Sequence, residues 1–382
     1  MNPPKRLPLP VGPGSRILVR GNNWIGDVVL STPALRALHV AFPGAELSVL
    51  VKPWVIPVLK CNPDIHRILT YDARGRHMGI RGVNRLAMDL KRERFDCAVL
   101  LQRAFEAAWI SFLARIPVRI GYRTDGRGLL LTHSIRASRE RLLIPRVEHN
   151  LLLLEAFGVP PADREVVLRV GQADLAAARE KLAAFGIGRE DVLYGLSPGA
   201  TFGSAKRWLP ERFAALADRV TGARGAKGLI FGGPAERELG EEIARTASGS
   251  GLLNLAGLTQ LEEAIALIGL CGLFITNDSG LMHIAAALDV PLVAIFGPTD
   301  PRTTAPWCRR RVIVRKEGIC CSPCLKRECD EDHRCMRSIE VHEVFDEADG
   351  LMETYGLDSV VRRESRLETS AGGPVPVVAL GG

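Results

Sequence analysis

Long apolar runs are missing from this 382-residue chain, and none approaches the length needed to cross a bilayer. The opening residues, MNPPKRLPLPVGPGS, carry charge and proline but no apolar h-region, so neither a secretory signal nor an amphipathic anchor is expected and the product is placed in the cytoplasm. Aromatic residues are scarce at 5%, and no RNP-like or finger motif accompanies them, which disfavours a nucleic-acid-binding module because base stacking needs aromatic platforms. Acidic residues are in deficit, 43 against 50 Lys plus Arg, so attraction to some anionic partner is expected: nucleic acid, a phosphorylated substrate or a lipid surface. Nine cysteines, most of them in the last fifth of the chain, suit a reducing compartment and are expected as thiols or metal ligands rather than disulfides.

What is present reads as a globular α/β protein, with 47% hydrophobic and 24% charged residues. The length exceeds what one core usually serves, so two domains are expected. Strand-length runs RILVR, ELSVLV, RILTY, CAVLL and VRIGY alternate with amphipathic stretches, and the pattern resumes with VLYGLSP, GLIFGG, LLNLAG, GLFITN and PLVAIFG. Between the two series, EHNLLLLEAFGVPPA ends in a Gly and a Pro pair, a helix stop followed by a stiff linker. The expected organisation is a disordered tail over 1–15, a Rossmann-like domain over 16–170, a second over 171–345, a helix over 346–361 and a disordered tail over 362–382. Two doubly wound domains are expected to turn the C-terminal ends of their sheets toward a common cleft.

Four stretches carry candidate chemistry. In GNNWIGD, Gly21 and Gly26 allow close backbone approach to a ligand, and Asp27 stands at the start of a helix, where it serves either as a cap or as a proton acceptor. The loop lacks the GxGxxG dinucleotide fingerprint. In LSPGATFGSAKRW, a strand runs into small residues with Thr201, Ser204 and Lys206, a phosphate cradle without the Gly-Lys-Ser/Thr ending of a Walker loop, or else an ordinary βα loop. In TNDSGLMHIAAAL, Asp278, Ser279 and Gly280 open a helix whose amides face a ligand site, with His283 one turn on; capping and packing are the competing explanations. In GGPAERELG, Glu236 is placed to accept hydrogen bonds from a ribose diol, although acids favour first turns anyway.

The block CCSPCLKRECDEDHRCM offers Cys321 and Cys324 at zinc-ligand spacing, followed by Cys329 and Cys335 without a second CxxC. Reduced thiols packed in a loop are favoured over a structural metal on these four residues, and the block is expected to lie outside the βα loops that carry the chemistry. Arg115, Arg119, Arg123 and Arg127 in ARIPVRIGYRTDGRG suit a phosphorylated, acidic partner, or else are solvated surface charge.

Taken together, ILVRGNNWIGDVVLSTPALRAL, SPGATFGSAKRW, TNDSGLMHIAAAL and CSPCLKREC resemble, in order and over roughly residues 16–345, the lipopolysaccharide-core heptosyltransferases of glycosyltransferase family nine, and within it the heptosyltransferase II branch. The resemblance implies a GT-B fold, an ADP-heptose donor, the lipid A-linked inner core as acceptor of a second heptose, inversion at the anomeric carbon and no cofactor required for catalysis. It also implies that Asp27 is the catalytic base, that Lys206 and Thr201 contact the diphosphate, and that Glu236 contacts the ribose. Asp278, Ser279, Gly280 and His283 then form the second donor motif. On that reading Arg119, Arg123 and Arg127 are expected to bind the acceptor, at the cytoplasmic face of the inner membrane. A family-nine transferase of another linkage or sugar, a basic nucleic-acid-binding module from another class, and a catalytically silent scaffold are the alternatives.

Overall fold

A computed structural model describes residues 9–138, 143–249, 251–369 and 373–381. These divide into two compact units, one of residues up to Leu168 joined by the segment 373–381, the other running from Arg169 through 369.

The first unit is built on strands β1 (Arg16–Arg20), β2 (Glu46–Val51), β3 (Arg67–Thr70), β4 (Cys97–Leu100), β5 (Val118–Arg123) and β6 (His133–Arg136), with β13 (Val377–Ala379) added at one edge. All pair in parallel, in the order β13-β3-β2-β1-β4-β5-β6. The second unit holds β7 (Leu193–Ser197), β8 (Lys227–Ile230), β9 (Leu252–Asn254), β10 (Leu273–Asn277), β11 (Leu292–Phe296) and β12 (Arg311–Arg315), again parallel, in the order β12-β11-β10-β7-β8-β9. The expected α/β class with doubly wound sheets is what the structure shows.

Central strands are buried on both faces, which is why CAVL and LVAIF read as continuous apolar runs rather than alternating ones. Leu18, Leu50, Leu69 and Leu100 anchor one core, and Leu196, Ile275, Ile295 and Phe213 the other. Each sheet reverses its winding once, between β1 and β4 in the first unit and between β7 and β10 in the second. Loops leaving the C-terminal ends of strands at such a reversal diverge and leave a crevice, the usual ligand position in open α/β sheets.

The tails differ from expectation. Residues 1–8 lie outside the described part, but residues 9–15 pack onto the first unit, with Leu9 buried and the Gly14 amide donating to the Gly44 carbonyl. At the other end, Val360–Thr369 is a helix and Val377–Ala379 is strand β13, where disorder was expected over 362–382. The helix was hidden because two of its inward residues are charged. Arg363, buried, donates to the carbonyls of Gly269, Leu288 and Asp289, and Glu364, also buried, pairs with Arg179 and Arg189. The strand was hidden by Pro374 and Pro376, which a sheet edge tolerates because the missing amides need no partner there.

Candidate active-site loops in two units

The loop after β1 is fixed from below and from the side. Arg20, buried, donates to the carbonyls of Gly21 and Leu50 and to Asn23 Oδ1, and burial lowers its pKa to about 10. Trp54 Nε1 donates to the Asn23 carbonyl at 2.8 Å. Gly21 is required by close packing, since a Cβ there would sit 2.7 Å from Val51 Cγ1.

This framework delivers the short helix Ile25–Val29, whose N-cap is Trp24 and whose third residue is Asp27. Asp27 therefore does not cap the helix. Its Oδ1 lies 3.2 Å from Arg146 Nε, and the carboxylate keeps 28% of its exposure. A second guanidinium stands close by, that of Arg103 in the loop after β4. Arg103 is held below its ordinary pKa by burial first and then by Arg146, while Asp27 and Asp125 oppose the shift. Thus the reversal between β1 and β4 presents one carboxylate with two arginines. Arg103 and Arg146 were not singled out in the sequence, where a lone Arg after a strand and another before a leucine run carry no pattern.

In the second unit the loop after β7 is tied down at both ends by one side chain. Asn277, the last residue of β10, donates from Nδ2 to the Pro198 carbonyl at 2.6 Å and accepts the Trp208 amide at 3.1 Å. Trp208 is buried and donates its indole N–H to the Ile339 carbonyl. Asn277 thus clamps the loop rather than capping a helix. Within the loop, Lys206 ends a 3-10 turn and its Nζ lies 2.7 Å from Asp278 Oδ2. The same oxygen accepts Thr299 Oγ1 at 2.7 Å and Thr304 Oγ1 at 3.4 Å. Lys206 also lies over the Phe202 ring at 4.9 Å, with Arg327 over that ring at 5.3 Å.

Asp278, then, orients the lysine, and Ser279 is the N-cap residue of the helix Gly280–Ala287, on which His283 is buried. Thr201 is exposed on the loop. Glu236 accepts the Gly233 amide at 2.8 Å, and its carboxylate lies against Gly199, where a Cβ would come within 1.9 Å of Oε1. The structure therefore brings Lys206, Asp278 and Thr299 together at the reversal between β7 and β10, with Glu236 touching the first residues of the same loop. Thr299 was missed because a Thr after Gly-Pro reads as an ordinary turn.

The arginines of the first unit fare differently. Arg127 is fully buried, donates to the carbonyls of Tyr122, Gln102 and Ala104, and has its pKa lowered by burial to about 10. It ties the loops after β4 and β5 together from inside the unit. Arg119 is level with Ala98 at the N-terminal end of its sheet, whereas Asp27 follows the C-terminal end of β1. Arg119 donates to the Ile116 and Leu130 carbonyls. Arg123, at the C-terminal end of β5, is exposed and donates to Ser134.

The cysteine block was expected to lie apart from the chemistry, yet it supports the loop after β7. The Arg327 carbonyl accepts the Ala205 amide at 3.0 Å, and His333 Nε2 lies 2.8 Å from the Ala205 carbonyl. The Cys335 thiol is pushed up to about 11, by burial and then by Cys321, Cys324 and Cys329. Among the described residues, no group of three or more His, Cys, Asp or Glu is arranged to hold a metal ion. No helix among them is long and apolar enough to cross a membrane.

Comparison with known proteins bears on the family and the fold. A family model described as glycosyltransferase family 9 (heptosyltransferase) matches residues 83–334. Lipopolysaccharide heptosyltransferase 2 of Salmonella typhimurium is 34% identical over 307 residues, spanning 78% of this chain and 88% of that one. The solved structure of the E. coli ADP-heptose LPS heptosyltransferase II superposes with a TM-score of 0.76 at 30% identity, covering 89% of this chain and 99% of the other. A family 9 glycosyltransferase from Veillonella parvula gives a TM-score of 0.80 at 25% identity, covering 89% and 98%. The two parallel sheets are those of the GT-B fold.

Proposed function

The chain belongs to glycosyltransferase family 9 (heptosyltransferase), and from that premise we propose that it is an inverting transferase that moves a heptose from ADP-L-glycero-D-manno-heptose to the lipid A-linked inner core, as its second heptose. The observation that carries this is the Lys206–Asp278–Thr299 cluster at the winding reversal of the second unit, matched by Asp27, paired with Arg146 and within the electrostatic reach of Arg103, after β1 of the first.

In the reaction, the acceptor hydroxyl oxygen attacks the anomeric carbon from the face opposite the nucleotide. The new C–O bond forms as the bond to the diphosphate oxygen breaks, and ADP leaves with the electron pair. Asp27 takes the hydroxyl proton as general base. Lys206 meets charge that grows on the departing diphosphate, so its attraction is stronger in the transition state than in the ground state, the condition for accelerating the step. Thr201 and the amides opening the Gly280–Ala287 helix bind the diphosphate, and Glu236 the ribose. Arg103 and Arg146 hold an anionic group of the acceptor next to the base. No step in this scheme needs a metal. The acceptor places the enzyme at the cytoplasmic face of the inner membrane.

Incubation with ADP-heptose and core acceptors truncated before the second heptose, read by mass spectrometry, tests donor, acceptor and activity together. One added heptose is expected. Transfer only to an acceptor lacking the first heptose, or only from another nucleotide sugar, would reassign linkage or donor within the family.

A further inference from the structure

The helix Phe105–Leu113 wears its aromatic residues outward. Phe105, Trp109 and Phe112 are 46%, 37% and 43% exposed, while Ala107, Ala108, Ile110 and Ser111 fill the side toward the core. Spaced at i, i+4 and i+7, the three rings form one row, with centroids 6.2 and 5.9 Å apart. Against this helix packs the turn Arg127–Leu130, from which Leu129 projects with 96% of its surface exposed. In a chain with only 5% aromatics, three on one exposed helix face need a reason.

Cations frame the row. The Arg119 guanidinium stacks on the Phe112 ring at 5.5 Å. Arg115, exposed, follows the helix at φ 56°, a conformation that non-glycine residues seldom adopt. The Arg123 stem runs along Gly128, beside Leu129. Of the nearby acids, Glu106 is hydrogen-bonded to Tyr71, and Asp125 lies in the turn after β5.

We propose that this face docks the first unit on an anionic phospholipid bilayer, with the rings at headgroup depth and the arginines on lipid phosphates; the inference rests on the membrane-anchored acceptor proposed above. Aromatic rings favour the interface between acyl chains and water, and cations near an anionic leaflet are attracted within a Debye length. The row begins two residues after Arg103, so a docked bilayer would lie next to the loop that holds the acceptor's anionic group. This also gives Arg115, Arg119 and Arg123 a shared role at the lipid surface.

The test is flotation with phosphatidylcholine vesicles, with and without phosphatidylglycerol, alongside transfer to a deacylated, water-soluble core acceptor. The full chain is expected to float with the anionic vesicles. The F105S/W109S/F112S variant should partition at least about tenfold less while keeping its unfolding midpoint and its transfer to the deacylated acceptor. The R115E/R123E variant should lose roughly fivefold or more per residue, on anionic vesicles only. Undiminished flotation of the aromatic variant would overturn the surface while leaving membrane association intact. No flotation of the full chain, or aromatic substitutions that abolish self-association instead of vesicle binding, would overturn the lipid assignment. Failure of the full chain to modify the deacylated acceptor bears on the proposed reaction alone.

Discussion

Lys206 Nζ lies 2.7 Å from Asp278 Oδ2, and Thr299 Oγ1 donates to that same oxygen at 2.7 Å. Both charged side chains are largely withdrawn from water, 11% and 5% exposed. Removing one partner should therefore strand the other. Lys206→Met is expected to slow transfer by a factor of about 100–1,000, as losing one preorganised donor to a developing anion does. It should also lower stability by about 3 kcal/mol, since Asp278 is left uncompensated. The K206M/D278N double variant should regain most of that stability but none of the rate. Urea unfolding beside initial-rate measurements decides between this and a lysine that acts only as surface charge.

Asp27 needs a sharper test, because its pairing with Arg146 at 3.2 Å is also what a purely structural carboxylate would show. Asp27→Asn keeps the shape and a hydrogen-bond acceptor but removes the proton acceptor. Transfer should fall by a factor of about 100–10,000, the usual worth of a general base, with ADP-heptose affinity by calorimetry unchanged. A variant that turns over within a few-fold of the parent would remove Asp27 from the reaction and leave it as a partner for Arg146.

Gly203 marks where the cysteine block and the loop of Lys206 meet, for a Cβ at this position would lie 2.1 Å from the Arg327 carbonyl oxygen. That contact is backbone against backbone, so neither side can yield by rotating a side chain. Gly203→Ala should push Arg327 and the Ala205 amide apart by about 1 Å and displace Lys206 with them. The expected signature is a raised KM for the donor and a lowered kcat. A variant with unaltered kinetics would show that the block and the loop are mechanically independent.

The sequence made legible what depends on local pattern. Ten of the strands follow from apolar runs between turn residues, and Asp27, Lys206 and Asp278 follow from their place at strand-to-helix junctions. What it hid depends on partners far along the chain. Arg363 and Glu364 look like exposed charges until the carbonyls of Gly269 and Leu288 and the guanidinium of Arg179 are seen beside them. Arg127 looks like a surface arginine among others, yet its donors end on three carbonyls inside the first unit. Arg103 and Arg146 are 43 positions apart by their numbers and influence each other because β4, which Arg103 follows, neighbours β1, while the helix Arg146–Glu155 packs on the helix Thr32–Ala41 that follows β1. Asn277 passes for a cap because Asn is a favoured cap residue, whereas its amide spans Pro198 and Trp208.

His149 gives the first unit a pH dependence with a definite sign. Its ring stacks on Tyr122 at 4.0 Å, and burial, reinforced by Arg146 and Arg103, lowers its pKa from 6.5 to about 3. Below 6.5 the unfolded chain therefore binds a proton that the native chain refuses. The contribution of this residue to stability is complete above 6.5 and is lost as the pH falls toward about 3, at up to about 1.4 kcal/mol per unit. His149→Phe keeps a ring against Tyr122 but cannot titrate. It should reduce the drop in unfolding free energy between pH 7 and pH 5 by about 2 kcal/mol relative to the parent, measured by urea titration at both pH values. Carboxylates contribute equally in the two proteins and cancel in the comparison, so identical slopes would mean that His149 charges freely in the folded state.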